Sequence, residues 1–373
     1  MKHLTNIFWL GTKELRSLQS DKILLVFLIY SFTFAIYSQA TGTSSDVTNA
    51  SVGIVDEDRS ILSGRIAGAF FRPSFQQPEL IEATEIEDAL NSDRFMFVLN
   101  IPPDFERHVV EDRSTEIQLN IDATAMGQAG IGSNYIRSII QDEVTRYVRR
   151  SDEDPETPTN LVIRRAFNPN GNPVWFNSLV ALINQVTMLT IILTGAALIR
   201  EKEHGTIEHL LVMPLTSLEI ALAKVWANSL VILVAVGVSV SVIIRMLLEV
   251  PIAGSIPLFM LGVAVYLFFA TALGIFLGAI TRSMAQFAML VILIIIALQM
   301  LSGGTTPIES QPEWLQYITF FLPSRHFVSF AQAIIYRGAG FDLVWPSFLT
   351  VAVLASILFV LSLIQFRRSI EKG

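Results

Sequence analysis

The sequence contains no cysteine, which excludes disulfide bonds and thiolate metal sites. It also lacks a glycine-rich loop of the form G-x-x-x-x-G-K-S/T, so we expect that this chain does not itself bind nucleotide phosphates. No H-E-x-x-H pair occurs, and His204 and His209 are too poorly aligned on a helix to suggest zinc. We therefore expect no cofactor, metal ion or catalytic residue in this chain.

Ionisable side chains are missing from the centres of the hydrophobic runs, although the chain is 16% charged and 52% hydrophobic. Runs of about 20 apolar residues are long enough to cross a bilayer as a helix. Such runs occur at residues 23–40, 175–199, 220–244, 256–280, 285–301 and 345–366. Because ionisable groups inside a membrane usually mark ion or proton pathways, their absence counts against an ion-coupled carrier.

Neutral polar residues occur in these runs instead. Asn184 and Gln185 lie in the second run, and Gln299 lies near the end of the fifth. Such amides commonly form hydrogen bonds between neighbouring helices. They also suit a route for a transported compound, and the sequence leaves both interpretations open.

Charge divides the chain into two parts. Residues 41–173 contain 22 acidic and 12 basic residues, all of the latter arginine, whereas the whole chain has a net charge of −7. Within this acidic part, strand-like segments (50–55, 80–83, 94–101, 115–122, 161–167) alternate with helix-like segments (59–71, 85–91, 102–112, 128–150). The alternation predicts a small α/β domain at 41–173, inserted between the first two spans.

The remaining lysine and arginine residues favour one orientation, since cytoplasmic loops retain such residues. They precede the first run and follow the second, fourth and sixth runs, as Lys13, Lys202, Arg282 and Arg367 illustrate. We therefore expect both termini in the cytoplasm. Residues 41–173 and the connection at 303–344 would then lie outside.

Residues 1–22 have a helical apolar stripe, formed by Leu4, Phe8, Gly11, Leu15 and Leu18. Lys13, Glu14 and Arg16 fall away from that stripe. We predict an amphipathic helix in the inner membrane interface, ahead of span one at 23–40. A cytoplasmic helix packed on a partner is the alternative.

The polar segment 200–215 separates the second and third runs. Pro214 ends a short helical pattern, and Thr216 with Glu219 has the spacing of a capping box that would begin the third span. We predict a short helix across the inner face, where a soluble protein can bind. An ordinary solvated loop is the alternative, although it leaves the apolar edge of the segment unexplained.

Residues 303–337, after the fifth run, are broken by Pro312 and Pro323 into helical pieces too short to span. We predict outer re-entrant half-helices here, with Trp314 and Tyr317 as interfacial anchors and Ser324 as a helix cap. Residues 174–373 thus hold spans two to six, the short inner helix and these half-helices.

Several motifs in order resemble those of the ABC-2 type transport permeases. The strongest is Arg200-Glu201-x-Glu203-x-Gly205-Thr206-x-Glu208-x-Leu210-Leu211, followed by Met213-Pro214-Leu215. Asn168-Pro169, Ser302-Gly303, Pro312-x-Trp314-Leu315 and Arg337-Gly338-Ala339-Gly340 also match. The similarity covers the whole chain and is greatest to bacterial inner-membrane permeases that work with a membrane-fusion adaptor.

The resemblance implies a mainly α-helical membrane protein of the ABC-2, type V exporter-like fold. It has six transmembrane helices and a periplasmic α/β domain between spans one and two. Two permease subunits, identical or related, would pair with two ATPase subunits that bind the ATP and magnesium. A periplasmic adaptor and membrane lipid are further expected partners, and nucleic acid is not.

The resemblance also assigns roles to residues. The ATPase-coupling residues would be Arg200, Glu201, Glu203, Gly205, Thr206 and Glu208. A candidate substrate route or gate would include Asn184, Gln185, Gln299, Ser302, Gly303 and Gly304. The family more often has a bulky apolar pair after Ser302-Gly303, where this chain has Gly304-Thr305-Thr306.

The leading functional hypothesis is a non-enzymatic permease of an ATP-driven exporter in the bacterial inner membrane. It would move a hydrophobic or amphipathic compound, such as a drug-like molecule or a lipid, outward. A membrane-anchored sensor or scaffold with an extracytoplasmic ligand-binding domain is the alternative. A membrane enzyme acting on lipid-linked substrates would need clustered charged residues near one face, and no such cluster is evident.

Overall fold

The computed structural model describes residues 2–42, 49–71, 73–92, 94–121, 126–149, 167–168, 172–203 and 215–371. The chain divides into a helical unit, Met1–Thr43 with Arg165–Gly373, and an α/β unit, Ser44–Arg164. Three predicted coupling residues, Gly205, Thr206 and Glu208, lie outside the described residues. So does most of the predicted strand at 161–167.

Among the described residues, six helices of the helical unit are long and apolar enough to cross a membrane, and we number them as spans one to six. They are Lys22–Gly42, Pro173–Glu203, Ser217–Leu247, Ile256–Ile280, Met284–Leu301 and Phe341–Ser369. The last helix continues to Glu371. Each helix contains one of the six predicted apolar runs, so the predicted spans are confirmed as helices.

Polar caps fix where several spans begin. Asp21 accepts a hydrogen bond from the Leu24 amide at 3.1 Å at the start of span one. The predicted capping box at span three is confirmed, because the Glu219 carboxylate accepts from the Thr216 amide at 2.6 Å and Thr216 Oγ1 accepts from the Glu219 amide. Caps of this kind contribute about 1 kcal/mol each, so they define helix starts that apolar residues alone would leave free to shift.

Spans two and four form the buried centre of the helical unit, and close approach at glycine explains how. A Cβ atom on Gly195 would lie 2.2 Å from the Phe287 ring of span five and 3.0 Å from the Gly274 carbonyl oxygen of span four. A Cβ on Gly274 would lie 2.9 Å from the Ile191 carbonyl oxygen. Without side chains at these positions the helix backbones touch, which is a usual means of helix association in membranes.

Two spans depart from regular α-helix. Span one contains a π-helical segment at Ser31–Ala35, between α-helical parts at Lys22–Tyr30 and Ile36–Gly42. Span three is α-helical at Ser217–Val238 and π-helical at Ser239–Leu247. Both π segments begin at a buried serine.

The connection between spans five and six consists of short helices, at Ile308–Ser310, Glu313–Phe320 and Pro323–Arg337. Arg325 Nη1 donates to the Gln316 carbonyl oxygen at 2.7 Å, which ties the second helix to the third. The prediction that Ser324 caps the last helix is wrong. That helix begins at Pro323, whose fixed φ suits a first helical position, and the Ser324 hydroxyl is buried beyond it.

The N-terminal helix, Lys2–Ser20, packs along the first half of span three. Trp226 Nε1 donates to the Ile7 carbonyl oxygen at 3.0 Å, and the Trp226 ring stacks on Phe8 with centroids 5.9 Å apart. Gly11 is buried against this tryptophan. The interfacial location of the helix stays a prediction.

One detail of the N-terminal prediction is wrong. Glu14 does not point away with Lys13 and Arg16 but turns toward span three, where its carboxylate is 17% exposed. The reason is that span three presents the buried Lys224 at this point, and a buried ammonium needs an anionic partner at hydrogen-bond distance.

The described part of the α/β unit has a four-stranded sheet in the order β2-β1-β3-β4. The strands are β1 Val52–Asp56, β2 Glu79–Leu80, β3 Phe97–Ile101 and β4 Gln118–Ile121. Strands β1, β2 and β3 are parallel, and β4 is antiparallel to β3. Parallel strands are normally covered on both faces, which accounts for the continuous apolar runs in β1 and β3.

Helices cover both faces of this sheet. Ile61–Gly68 and Met126–Arg149 pack on the face that carries Ile54 and Leu99, whereas Ile86–Asn91 packs on the face that carries Val98. The unit also has a 3₁₀ turn at Ala83–Glu85 and a helix at Phe105–Val110. The Leu62 amide donates to the Glu106 carboxylate at 3.0 Å, which lowers the pKa of Glu106.

The prediction of a helix from Pro102–Pro103 is wrong at its start. Asp104 has a left-handed φ of 60°, so the helix begins at Phe105. Aspartate tolerates that conformation better than most residues. The α/β class of the unit agrees with the alternating pattern, and its periplasmic location stays a prediction.

We expect Gly195→Ala to lower the thermal unfolding midpoint of the purified protein, because its Cβ would overlap the Phe287 ring at 2.2 Å. Overpacking of this kind costs about 1–3 kcal/mol. Gly237→Ala in span three is the matched control, since its nearest neighbour is Met260 Cε at 3.8 Å. Equal midpoints for the two variants would contradict the close packing of spans two and five.

Candidate functional site at the end of span two

Four consecutive residues at the end of span two, Arg200 to Glu203, each contact a different element. We call them the Arg200–Glu203 hub. Successive residues of a helix are rotated by about 100°, so four in a row point to all sides. The sequence places them where an apolar helix gives way to the segment 204–214. The structure adds the partner of each side chain.

Glu201 forms part of a buried ion triad. Lys224 Nζ of span three lies 3.0 Å from Glu201 Oε1 and 2.9 Å from Glu14 Oε1 of the N-terminal helix. The Lys224 side chain is 2% exposed and each carboxylate 17%. With both carboxylates ionised, the triad has a formal charge of −1.

This geometry revises the prediction for Glu201. Its carboxylate does not face outward toward a partner protein but points into the triad between three helices. Any effect of Glu201 on coupling would therefore pass through Lys224 and Glu14. Its participation in coupling stays a prediction.

Lys202 binds the end of span four. Its Nζ lies 2.8 Å from the carbonyl oxygens of both Gly278 and Ala279 and 3.3 Å from that of Thr281. The last carbonyls of a helix have no partner within the helix and carry partial negative charge. An ammonium at this point therefore satisfies them and attaches span two to span four.

Glu203 and Arg200 bind helix starts. Glu203 Oε1 accepts from the Met284 amide, at the first turn of span five, at 2.9 Å. Arg200 Nη1 lies 3.5 Å from Asp21 Oδ2, the residue that caps span one. A carboxylate at a helix N-terminus is favoured by the partial positive charge there. The hub thus joins span two to spans one, three, four and five.

The predicted gate residues form two sets. Asn184 and Gln185 lie on span two, far from the Arg200–Glu203 hub, and the others lie at the end of span five. Asn184 is 9% exposed, and Gln185 Oε1 is buried without a hydrogen-bond partner among the described residues. Ser302 Oγ donates to the Gln299 carbonyl oxygen at 3.1 Å and accepts from the Gly304 amide at 3.3 Å. This turn ends span five.

The turn contacts span two near Asn184. A Cβ on Gly304 would lie 3.2 Å from Val180 Cγ1, and Asn184 follows Val180 by one helical turn on the same face. Gly303 has a φ of 84°, a conformation that glycine adopts readily. The structure therefore brings the turn Ser302–Gly304 close to the part of span two that carries Asn184 and Gln185. The role of these residues as a gate stays a prediction.

Sequence reasoning missed several polar contacts between spans. Asn228 Nδ2 of span three donates to Thr194 Oγ1 at 2.9 Å, and Thr187 Oγ1 lies 2.8 Å from the Tyr266 hydroxyl of span four. All four side chains are buried. Asn228 and Tyr266 are polar residues within apolar runs, so the sequence could have predicted that they form hydrogen bonds between spans. Threonine is too common in spans to be singled out.

A family model described as ABC-2 family transporter protein matches residues 23–364. The chain belongs to the ABC-2 transporter family. The inner membrane transport permease YhhJ of Escherichia coli (strain K12) is 52% identical over 99% of this chain and 99% of its own length. The probable multidrug ABC transporter permease YbhR of the same strain is 28% identical, with coverage of 96% and 97%.

Another relative, the probable multidrug ABC transporter permease YbhS of E. coli (strain K12), is 25% identical over 88% of each chain. The resemblance to ABC-2 permeases is thus confirmed over most of the chain. With its six candidate spans, this ABC-2 protein is a multi-pass membrane protein of the class of ABC transporter permeases.

We expect Lys224→Met to lower the stability of this permease by about 3–5 kcal/mol, because Glu14 and Glu201 would stay buried without their cation. The thermal unfolding midpoint in detergent and the monodisperse fraction would show the loss. The triple variant Glu14→Gln, Glu201→Gln, Lys224→Met removes all three charges and should recover most of it. A stable single variant, or a triple variant no better than the single, would contradict the triad's role.

Proposed function

We propose that this chain is the permease subunit of an ATP-driven exporter that moves a hydrophobic or amphipathic compound outward across the bacterial inner membrane. A separate ATPase subunit would bind and hydrolyse ATP with magnesium. The observation that carries the proposal is the Arg200–Glu203 hub, which joins span two to four other spans. The similarity to relatives that are named as transport permeases supports it.

The hub suits a mechanical role. The polar segment 204–214 follows Glu203 directly, and on the family resemblance its residues Gly205, Thr206 and Glu208 would bind the ATPase. Any displacement of that segment would act first on Glu203 and Lys202, and through them on the start of span five and the end of span four. A partner that binds one arrangement of the spans better by a few kcal/mol shifts their populations by that amount.

The remaining parts of the proposal follow from charge and from the family. The distribution of lysine and arginine favours cytoplasmic termini, which would put the hub at the inner face and residues 41–173 in the periplasm. A second permease copy or a related chain would complete the transporter, with a membrane-fusion adaptor as a further partner. The polar turn Ser302–Gly304, against span two near Asn184, would serve as the outer gate.

The sensor or scaffold alternative is not favoured. The relatives match this chain over nearly its full length, including the α/β unit, and their names are those of transport permeases. Among the described residues, no group of three or more histidine, aspartate or glutamate side chains is arranged to hold a metal ion.

We expect the tagged chain to co-purify with an ATPase and to move an amphipathic dye in liposomes only when that ATPase and ATP are present. Candidate compounds would be ranked by their stimulation of ATP hydrolysis. Transport by the purified chain alone, with no companion protein, would overturn the proposal.

Glu203→Lys should reduce ATP-driven transport at least tenfold, because a cation would replace the acceptor of the Met284 amide beside the positive end of span five. Glu309→Lys is the matched control, an exposed glutamate in the connection after span five, and should stay within twofold of the wild type. Both variants must elute as monodisperse complexes with the ATPase. Equal transport by the Glu203→Lys and Glu309→Lys variants would contradict the coupling role of the hub.

A further inference from the structure

A cavity of about 240 Å³ lies beside the hub, between the N-terminal helix, the start of span one and spans two and three. Its lining is charged at one end, with Lys13, Asp21 and Arg200 among the residues there. Its deeper end is walled by Leu193 and Asn228. Leu193 and Arg200 are seven residues apart on span two, so the cavity extends about 10 Å along the helix.

With every group ionised, the formal charges in and directly behind the cavity wall balance. Lys13 and Arg200 supply two positive charges, and Glu14, Asp21 and Glu201 supply three negative ones. Lys224, bound to Glu14 and Glu201 behind the wall, adds the third positive charge. A ligand with a net charge of either sign would leave that charge uncompensated in a partly buried site, whereas a zwitterion would not.

The charged groups that line the cavity are of both signs. Lys13 is exposed to solvent. Arg200 and Asp21 form an ion pair at 3.5 Å, and their side chains are 50% and 30% exposed, so both keep accessible polar atoms. Lysine and arginine suit a phosphate, and a carboxylate suits a primary ammonium with its three N–H donors.

Apolar surface continues from the cavity. Leu18 and Leu24 line it, and no residue of Lys22–Tyr30 in span one is buried. Ile23 and Val26 are 85% and 64% exposed. Acyl chains attached to a headgroup in the cavity would find two turns of apolar helix beside it. A soluble zwitterion would make no use of that surface.

We propose that the cavity binds the headgroup of a phospholipid with a phosphate and a primary ammonium, such as phosphatidylethanolamine. The phosphate contacts Lys13 and Arg200, and the ammonium contacts Asp21. The lipid comes from the leaflet on the hub side of the membrane. Lipid binding at this site requires that the chain lie in a membrane, but it does not require transport. The lipid site can therefore be tested separately from the proposed function.

Native mass spectrometry of the purified full-length chain tests the site, by titration with dioleoyl-phosphatidylethanolamine, -phosphatidylcholine and -phosphatidylglycerol. We expect the ethanolamine lipid to bind at least fivefold more tightly than the other two. Choline lacks the N–H donors, and the glycerol lipid has a net negative charge. Equal binding of all three lipids would indicate a non-specific lipid shell and overturn the proposal. A preference for phosphatidylglycerol would contradict selectivity for a zwitterionic headgroup and would also overturn it.

Two pairs of variants locate the site. Ala197→Phe fills the cavity and should weaken ethanolamine-lipid binding at least tenfold, whereas Ala297→Phe, on an exposed face of span five, should not change it. Lys13→Gln should weaken binding about fivefold and Lys22→Gln, which does not line the cavity, less than twofold. If Ala197→Phe does not fold, the lysine pair decides. Unchanged binding in Lys13→Gln would then refute the site.

Discussion

A buried lysine determines how the helices are arranged at the end of the helical unit where span two stops. The Lys224 side chain is almost inaccessible to solvent. An ammonium buried in this way needs anions at hydrogen-bond distance to offset its lost hydration. Glu14 and Glu201 meet this requirement from two other helices. The N-terminal helix and the end of span two are therefore held against span three by a need for charge compensation, in addition to apolar packing.

The triad sets the rotation of span two at its end, and the other hub contacts follow from that rotation. With Glu201 turned to Lys224, the helical periodicity directs Lys202 to the end of span four and Glu203 to the start of span five. Both use unpaired backbone groups at helix ends, which are available partners wherever a helix stops. Span two is thus fixed at one end by polar contacts and along its length by close glycine packing.

Polar contacts at one end and glycine packing in the middle give the unit different kinds of rigidity. Hydrogen bonds from charged side chains and backbone groups have defined directions and exchange between discrete arrangements. At packed glycine faces, by contrast, backbones can slide only if neighbouring side chains move aside. A change imposed at Glu203 would reach spans four and five as a change of hydrogen-bond partner. A coupling of this kind requires two arrangements of the same contacts, and the structure provides one of them.

Local signals in the sequence were enough for the six spans, for the capping box at Thr216 and Glu219, for the α/β alternation and for the family. Each depends on a run, a spacing or a motif within a few neighbouring residues, where helix and strand geometry acts directly. Only the tertiary structure decided that Glu14 and Glu201 point inward, that Lys202 binds span four and that the turn at Gly304 contacts span two. Glu14 and Lys224 are 210 residues apart, and periodicity shows which residues share a face but not which distant charge that face will meet.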